Sequence, residues 1–245
     1  MKIDASRFSL EGKVALVVGA SSGIGRAVAV LLARNGASVM AAARREDRLR
    51  ALKAEMAGHS FEICSADATR LPDVERLVAE TRQVLGPIDI MVYATGTNTP
   101  DRALVRLRPA IWDELISTNL NGAYYVTQAV LPAMREARAG HLIFIASISG
   151  RAPDISGAAY QASKHGMIGL AHAIRFEEHQ NGIRTTVVNP GLVDTEILEK
   201  RPVKPPPEQL AQALLPEHVA EAVLACAQLP PRAVISELTI VPTAI

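Results

Sequence analysis

Tyr160 and Lys164 stand four residues apart in Tyr160-Gln161-Ala162-Ser163-Lys164, a segment of small and helix-compatible residues. On a helix, that spacing puts both side chains on one face, a turn apart. An unperturbed phenol titrates near pH 10, too high for a general base at neutral pH, and a neighbouring ammonium favours the phenolate. The pair therefore suits proton transfer to or from a substrate oxygen. Y-x3-K alone is common and carries little weight, so its surroundings matter. Ser147 lies thirteen residues upstream in Ile145-Ala146-Ser147-Ile148-Ser149-Gly150, just after an apolar run that reads as a strand. A serine at the carboxyl end of a central strand lies where α/β sheets bind ligands, and there it can hydrogen-bond the oxygen that Tyr160 protonates. Asn119, in Ser117-Thr118-Asn119-Leu120-Asn121-Gly122, is a polar residue inside a long helical segment. It reads either as a solvent-facing or helix-bending asparagine, or as one that kinks the helix and holds a water leading to Lys164.

A second group of residues suits a dinucleotide. Gly19-Ala20-Ser21-Ser22-Gly23-Ile24-Gly25 has the spacing G-x3-G-x-G between an apolar strand and a helix. Backbone without Cβ atoms can approach a pyrophosphate closely, and the orphan N–H groups and dipole of the helix favour the anion. The bland reading is a tight corner; the position after the first strand favours the dinucleotide. The second strand then ends Ala42-Ala43-Arg44-Arg45. An acidic residue at that end would hold the ribose hydroxyls of NAD. Ala43 accepts no hydrogen bond, and the forks of Arg44 and Arg45 match phosphate oxygens. NADP is thus the expected cofactor and NAD the other candidate, although Glu46 and Asp47 stand close to the arginines, which also read as solvated surface. After the sixth strand, Asn189-Pro190-Gly191-Leu192-Val193-Asp194-Thr195 offers backbone donors and acceptors to a nicotinamide carboxamide. The positive charge of an oxidised nicotinamide would lower the tyrosine pKa further.

These residues need a scaffold that brings strand ends together, and the pattern supplies one. Val14–Val18 is a continuous apolar run, as expected of a strand covered on both faces. Further strands read at Ala37–Ala42, Phe61–Ala66, Ile88–Tyr93, His141–Ala146, Arg184–Asn189 and Glu237–Val241. Helical periodicity reads over Ile24–Ala33, Arg48–Ala57, Leu71–Val84, Ile111–Ala137, Ala158–His179 and Pro216–Gln228. The alternation predicts an α/β, Rossmann-like, doubly wound parallel sheet of seven strands with helices on both faces. No repeat or long linker divides it, so one domain is expected, with a cofactor-binding part at about 10–125 and a catalytic and substrate part at about 126–245. Prolines at 202, 205, 206 and 207 make Arg201–Gln209 read as a loop over the sheet edge.

Composition narrows the partners. Hydrophobic residues make up 49% of 245, and 26 basic against 25 acidic residues leave a formal charge of +1. So even a balance gives no reason to expect nucleic acid or an anionic membrane. Cys64 and Cys226 read as buried core residues rather than a disulfide framework. Met1–Lys13 carries charges of both signs and no apolar stretch of signal-peptide length, and no run nears the ~18 apolar residues that span a bilayer. A soluble cytoplasmic protein is expected.

With these residues in hand, the sequence resembles the short-chain dehydrogenase/reductase family over about residues 10 to 195. The matching elements are Gly19, Gly23 and Gly25, then Asp67 after strand three, Asn119, Ser147, Tyr160, Lys164, and Pro190-Gly191 with Thr195. The resemblance implies a tetrad in which Tyr160 donates or accepts the proton and Lys164 binds the nicotinamide ribose and lowers the tyrosine pKa. It implies that Ser147 positions the substrate and Asn119 supports a water relay. It also implies that Asp67 contacts the adenine and that Ala43 and Arg44 mark an NADP preference. The cofactor set expected on this basis is Gly19, Ser21, Ser22, Gly23, Ile24, Gly25, Arg44, Arg45, Asp67, Ala68, Gly96, Tyr160, Lys164, Pro190, Gly191, Val193 and Thr195. A homodimer or homotetramer built on the helices that carry Asn119 and Tyr160 is the family expectation. The chain departs from the family's asparagine-rich segment after strand four, which here reads Tyr93-Ala94-Thr95-Gly96. It also has Val18 where many members have Thr, and lacks the glycine pair that often follows the last strand.

Several residues look functional and read more simply. His165, His172 and His179 recur every seven residues, roughly 10.5 Å apart along a helix, too far to share one metal ion at ~2 Å bonds; no metal is expected. Arg102, Arg106 and Arg108 read as a solvated cluster. The segments Thr97–Ile111 and Asp194–Leu215 should line a substrate site, with Leu104, Leu107, Ile197 and Leu198 beside several arginines. That suits a small-molecule carbonyl or alcohol, such as a 3-oxoacyl thioester, a keto sugar derivative or a steroid-like ketone. Two other functions fit the same scaffold: a cofactor-binding regulatory protein, against which the intact tetrad argues, and a lyase or epimerase. Relatives of the latter kind carry a larger C-terminal substrate region than the fifty or so residues after Thr195.

Overall fold

The computed structural model describes residues 9–244. Most of the Met1–Lys13 stretch therefore lies outside the described residues. Strands β1 (Val14–Val18), β2 (Ser38–Ala43), β3 (Phe61–Ser65), β4 (Ile90–Tyr93), β5 (Gly140–Ile145), β6 (Ile183–Pro190) and β7 (Glu237–Ile240) form one sheet in the order β3-β2-β1-β4-β5-β6-β7. Every neighbouring pair is parallel. The boundaries fall within two residues of those expected.

Alternation along the buried strands sorts the core into two layers. Ala15, Val17, Val39, Ala41 and Val92 face helices α1 (Gly23–Arg34), α2 (Glu46–Glu55) and α8 (Pro216–Ala227). Leu16, Val18, Met40, Met91 and Phe144 face α3 (Leu71–Val84), α5 (Gly122–Ala137) and α6 (Ala158–Glu178). Each fully buried Val, Leu or Phe here contributes about 1.5–3 kcal/mol. The chain winds outward from β1 to β3, then returns to start β4 on the other side of β1. The crevice at this reversal, outside the carboxyl ends of the strands, is where such sheets place ligands.

Two expectations are corrected. The helix expected over Ile111–Ala137 is in fact α4 (Pro109–Ile116), a π-helical segment Ser117–Asn121, and α5. The Pro-rich stretch is not loop throughout: a short helix α7 (Pro207–Leu210) starts at its last proline, where the missing N–H costs nothing because a first-turn amide has no intrahelical partner. Among the described residues, no helix is long and apolar enough to cross a membrane.

Candidate active site

A cavity of about 630 Å³ opens at the carboxyl ends of β1, β4, β5 and β6, a size typical of small-molecule sites. All the site residues expected from the sequence line it except Gly25 and Asn119, which stand behind its wall.

The glycine turn forms one side. Gly19 has φ +96°, and a Cβ there would lie 2.7 Å from the Thr95 nitrogen; a Cβ on Gly25 would lie 2.2 Å from the Gly19 carbonyl oxygen. The turn is thus folded back on itself and pressed against the end of β4, a geometry only glycine allows. It opens α1 with Ser22 as N-cap, no side-chain cap and no acid in the first turn. Those first amides are left for an anion. Gly96 is exposed, and a side chain there would stand about 3.5 Å from Lys164 Nζ. The cradle fits an elongated phosphate-bearing cofactor.

The two arginines after β2 differ. Arg45 donates from Nε and Nη2 to Ser21 Oγ at 3.1 and 2.9 Å and from Nη2 to Ser22 Oγ at 2.6 Å. Arg44 is exposed and lies electrostatically near Asp67. The guanidinium on the glycine turn is therefore that of Arg45, while Arg44 lines the same cavity. Arg45 also pairs with Glu196 at 2.8 Å, and Arg48 pairs with the same carboxylate. The neutralising acid is Glu196, 151 residues away along the chain, while Glu46 pairs with Arg50. Asp67 is committed to the Thr69 amide and hydroxyl at 2.9 and 2.8 Å. Burial raises its pKa, but the Thr69 bonds and the Arg44 and Arg70 charges outweigh that and hold it below the usual carboxylate value.

Tyr160 is half-buried on the cavity wall. Burial pushes its phenol up to about 12, opposed by a hydrogen bond with Ser147. Lys164 is 3% exposed. Its Nζ donates to the Ile145 carbonyl at 2.9 Å and stands 5.7 Å from the centroid of the Tyr160 ring. Burial lowers its pKa to about 7. Ser147 caps the short 3-10 turn Ile148–Gly150, accepting from the Ser149 amide at 3.1 Å. The constellation can pass a proton between the phenol and a substrate oxygen held by Ser147.

The Asn119 side chain makes three hydrogen bonds within the protein. Its Oδ1 accepts from the Thr97 amide at 2.8 Å, and its Nδ2 donates to the Thr97 carbonyl at 3.0 Å and to Ser163 Oγ at 2.9 Å. The buried side chain thereby ties the Thr97 segment to α6. Tyr93 takes up the role of the absent asparagines: fully buried, it donates from its hydroxyl to the Thr118 carbonyl at 2.6 Å and ties β4 to the π segment.

The sequence reading missed Arg102, which it placed in a solvated cluster. Arg106 and Arg108 are exposed, but Arg102 is 7% exposed and lines the cavity. Nothing in its local sequence separates it from the other two, because one of its partners, the Lys200 carbonyl, lies 98 residues away along the chain. Of the three histidines, His172 pairs with Glu237 at 3.0 Å. His165 and His179 bond to the Gln161 and Phe176 carbonyls of their own helix or its end.

The family model described as short chain dehydrogenase matches residues 13–205. An uncharacterized oxidoreductase of Staphylococcus aureus is 34% identical over 233 residues, spanning 95% of this chain and 98% of that protein. Among solved structures, a metagenomic short-chain oxidoreductase in complex with NADP is 34% identical with a TM-score of 0.82, over 95% of this chain and 98% of that one. A serine dehydrogenase complexed with NADP+ is 32% identical with a TM-score of 0.86, over 93% of this chain and 94% of its own.

Proposed function

The chain belongs to the short chain dehydrogenase family, an oxidoreductase family using NAD(P), and from that premise we propose that it moves a hydride between NADP(H) and a carbonyl or secondary alcohol. The observation that carries this reading is the meeting of Tyr160, Ser147 and Lys164 at the inner wall of a cavity whose other end is the glycine turn. When bound, the nicotinamide supplies or accepts the hydride. The protein's residues do the rest. Ser147 orients the substrate oxygen. Tyr160 gives it a proton during reduction or takes one during oxidation. The Lys164 ammonium, when charged, draws the phenol toward phenolate. Asn119 acts at one remove, holding the Thr97 segment and the Tyr160 helix in register. Gly19, Ser21, Ser22, Gly23, Ile24 and Gly25 would hold the pyrophosphate end. Asp67 and Ala68 would meet the adenine, and Gly96, Pro190, Gly191, Val193 and Thr195, which line the same cavity, would meet the nicotinamide.

NADP is the preferred cofactor in this reading, supported by Arg45 on the glycine turn, by the lack of an acid at the end of β2, and by the NADP found in two of its structural relatives. A homodimer or homotetramer is supported by the exposure of Phe176 on α6 and Tyr124 on α5; light scattering reads it directly. The test of activity is NADPH oxidation with a panel of ketones and aldehydes. Tyr160→Phe should lower kcat/KM by about 10²–10⁴-fold while cofactor affinity, followed by NADPH fluorescence, stays close to wild type. A variant that keeps more than about a tenth of the activity removes Tyr160 from the proton transfer.

A further inference from the structure

Arg102 is built into the cavity wall in an unusual way. Its Nε donates to the Thr99 carbonyl at 3.0 Å and its Nη2 to the Lys200 carbonyl at 2.7 Å, which leaves Nη1 uncommitted on a residue that lines the cavity. The backbone makes room for it. Gly157, three residues before Tyr160, has φ +88°, and a Cβ there would lie 2.5 Å from the Arg102 Cβ and 2.7 Å from its carbonyl oxygen. Asn98 ties the same loop to the Ser156 carbonyl at 3.2 Å. The guanidinium is thus held against the segment that leads into the catalytic helix.

Arg102 does not stand alone. Lys200 and Arg201 line the same cavity, and the charges of Arg201 and Arg102 are both felt at the Tyr160 hydroxyl. The acids nearby are spent elsewhere. Asp101 pairs with Arg106, Glu199 with Lys204, and Glu196 with Arg45 and Arg48. Asp154, which lines the same cavity, is engaged by the Ser149 and Ser156 hydroxyls and the Ser156 amide. Among the described residues, none of the three cations has an ion-pair partner. Burying a guanidinium beside a second one is costly unless an anion offsets it; burial and the Arg201 charge lower the Arg102 pKa, and the Asp154 charge, which acts the other way, does not outweigh them.

Resting on the oxidoreductase reading above, we infer that the substrate carries a carboxylate beside the reacting carbonyl or alcohol, received by the free edge of Arg102 with Arg201 and Lys200. A planar carboxylate matches a guanidinium fork, and only one edge of the Arg102 fork is free. Arg102 also bridges the two loops that flank the substrate site, so the test must separate charge recognition from loop support. The comparison is kcat/KM with NADPH for 2-, 3- and 4-oxo acids, each against its methyl ester, in wild type, Arg201→Ala and Arg102→Gln.

We expect at least one acid to exceed its ester by more than about tenfold, the worth of one charge-assisted hydrogen bond. The ratio should fall toward one in Arg201→Ala, which leaves the loop-bridging bonds intact, and in Arg102→Gln. A purely structural Arg102 would slow acid and ester alike and leave their ratio unchanged. Equal turnover of acids and esters by wild type overturns the carboxylate assignment and leaves the oxidoreductase standing. Failure to reduce any carbonyl in the panel overturns both.

Discussion

Lys164 is a buried lysine whose one hydrogen bond among the described residues is to a main-chain carbonyl, and burial brings its pKa from 10.5 down to about 7. This has a sign that can be measured. Between pH 7 and 10.5 the unfolded chain holds a proton on this lysine that the folded chain has released, so unfolding free energy rises with pH across that window. Cys64 and Cys226 work in the opposite direction above their ordinary value of 9.0, since burial pushes both up to about 11. The clean interval is therefore pH 7 to 9. There the cofactor-free protein should gain about 1–2 kcal/mol by urea denaturation, and Lys164→Met should flatten the rise. An equal slope in the variant would mean that the lysine keeps its proton in the folded state. Tyr160, Ser147 and Lys164 were legible in the sequence because their types and local spacing state their chemistry. Arg102 and Glu196 were not, because a contact that fixes each in the site, to Lys200 and to Arg45, spans 98 and 151 residues of chain.

At the scale of elements, the end of β4 shows how the sheet centre is held without asparagines. The Tyr93 hydroxyl reaches the Thr118 carbonyl inside the π segment, and Gly122 is the residue that makes room: a Cβ there would lie 2.2 Å from the Tyr93 oxygen. Burial holds the Tyr93 phenol well above its ordinary value, so it remains a donor throughout the working pH range. Tyr93→Phe leaves the Thr118 carbonyl without that donor in a dry place and should cost about 1–3 kcal/mol of stability. Gly122→Ala, which forces an overlap, should destabilise as well. A Tyr93→Phe midpoint equal to wild type would show that another group satisfies Thr118. Hydrophobic periodicity gave the strands and most helices to within two residues, because each buries a face. It did not give the π segment, which carries the Asn119 side chain that bonds to Thr97 and has no signature in the helical period.

Over the whole molecule, the sheet order carries the end of β2 and the turn after β6 to either side of the glycine turn, and Arg45 and Glu196 meet across it. Arg45 caps Ser21 and Ser22, and the Glu196 carboxylate sits on both Arg45 and Arg48. The Arg45 bond, then the Arg48 bond, hold the Glu196 pKa below the usual carboxylate value, so it is an anion at neutral pH. It therefore occupies the fork that a 2′-phosphate would use. All three side chains are roughly half exposed, and such pairs are worth about 0–1 kcal/mol. A phosphate received by Arg45 in a charge-assisted, bidentate contact is worth about 1.5–3 kcal/mol. The phosphate should win, at a preference reduced by what it displaces. Arg45→Ala should lower the NADP-to-NAD ratio of kcat/KM by roughly 10-fold or more, and Arg44→Ala should lower it less. Glu196→Gln should tighten NADP binding by up to about fivefold, with NAD affinity as the internal reference. The measurement is that ratio for one shared substrate in wild type and the three variants, with titration calorimetry for affinity. A wild-type ratio near one that Arg45→Ala leaves unchanged would remove the arginine from cofactor choice. A Glu196→Gln variant that binds NADP more weakly would make the carboxylate a brace for Arg45 rather than its competitor.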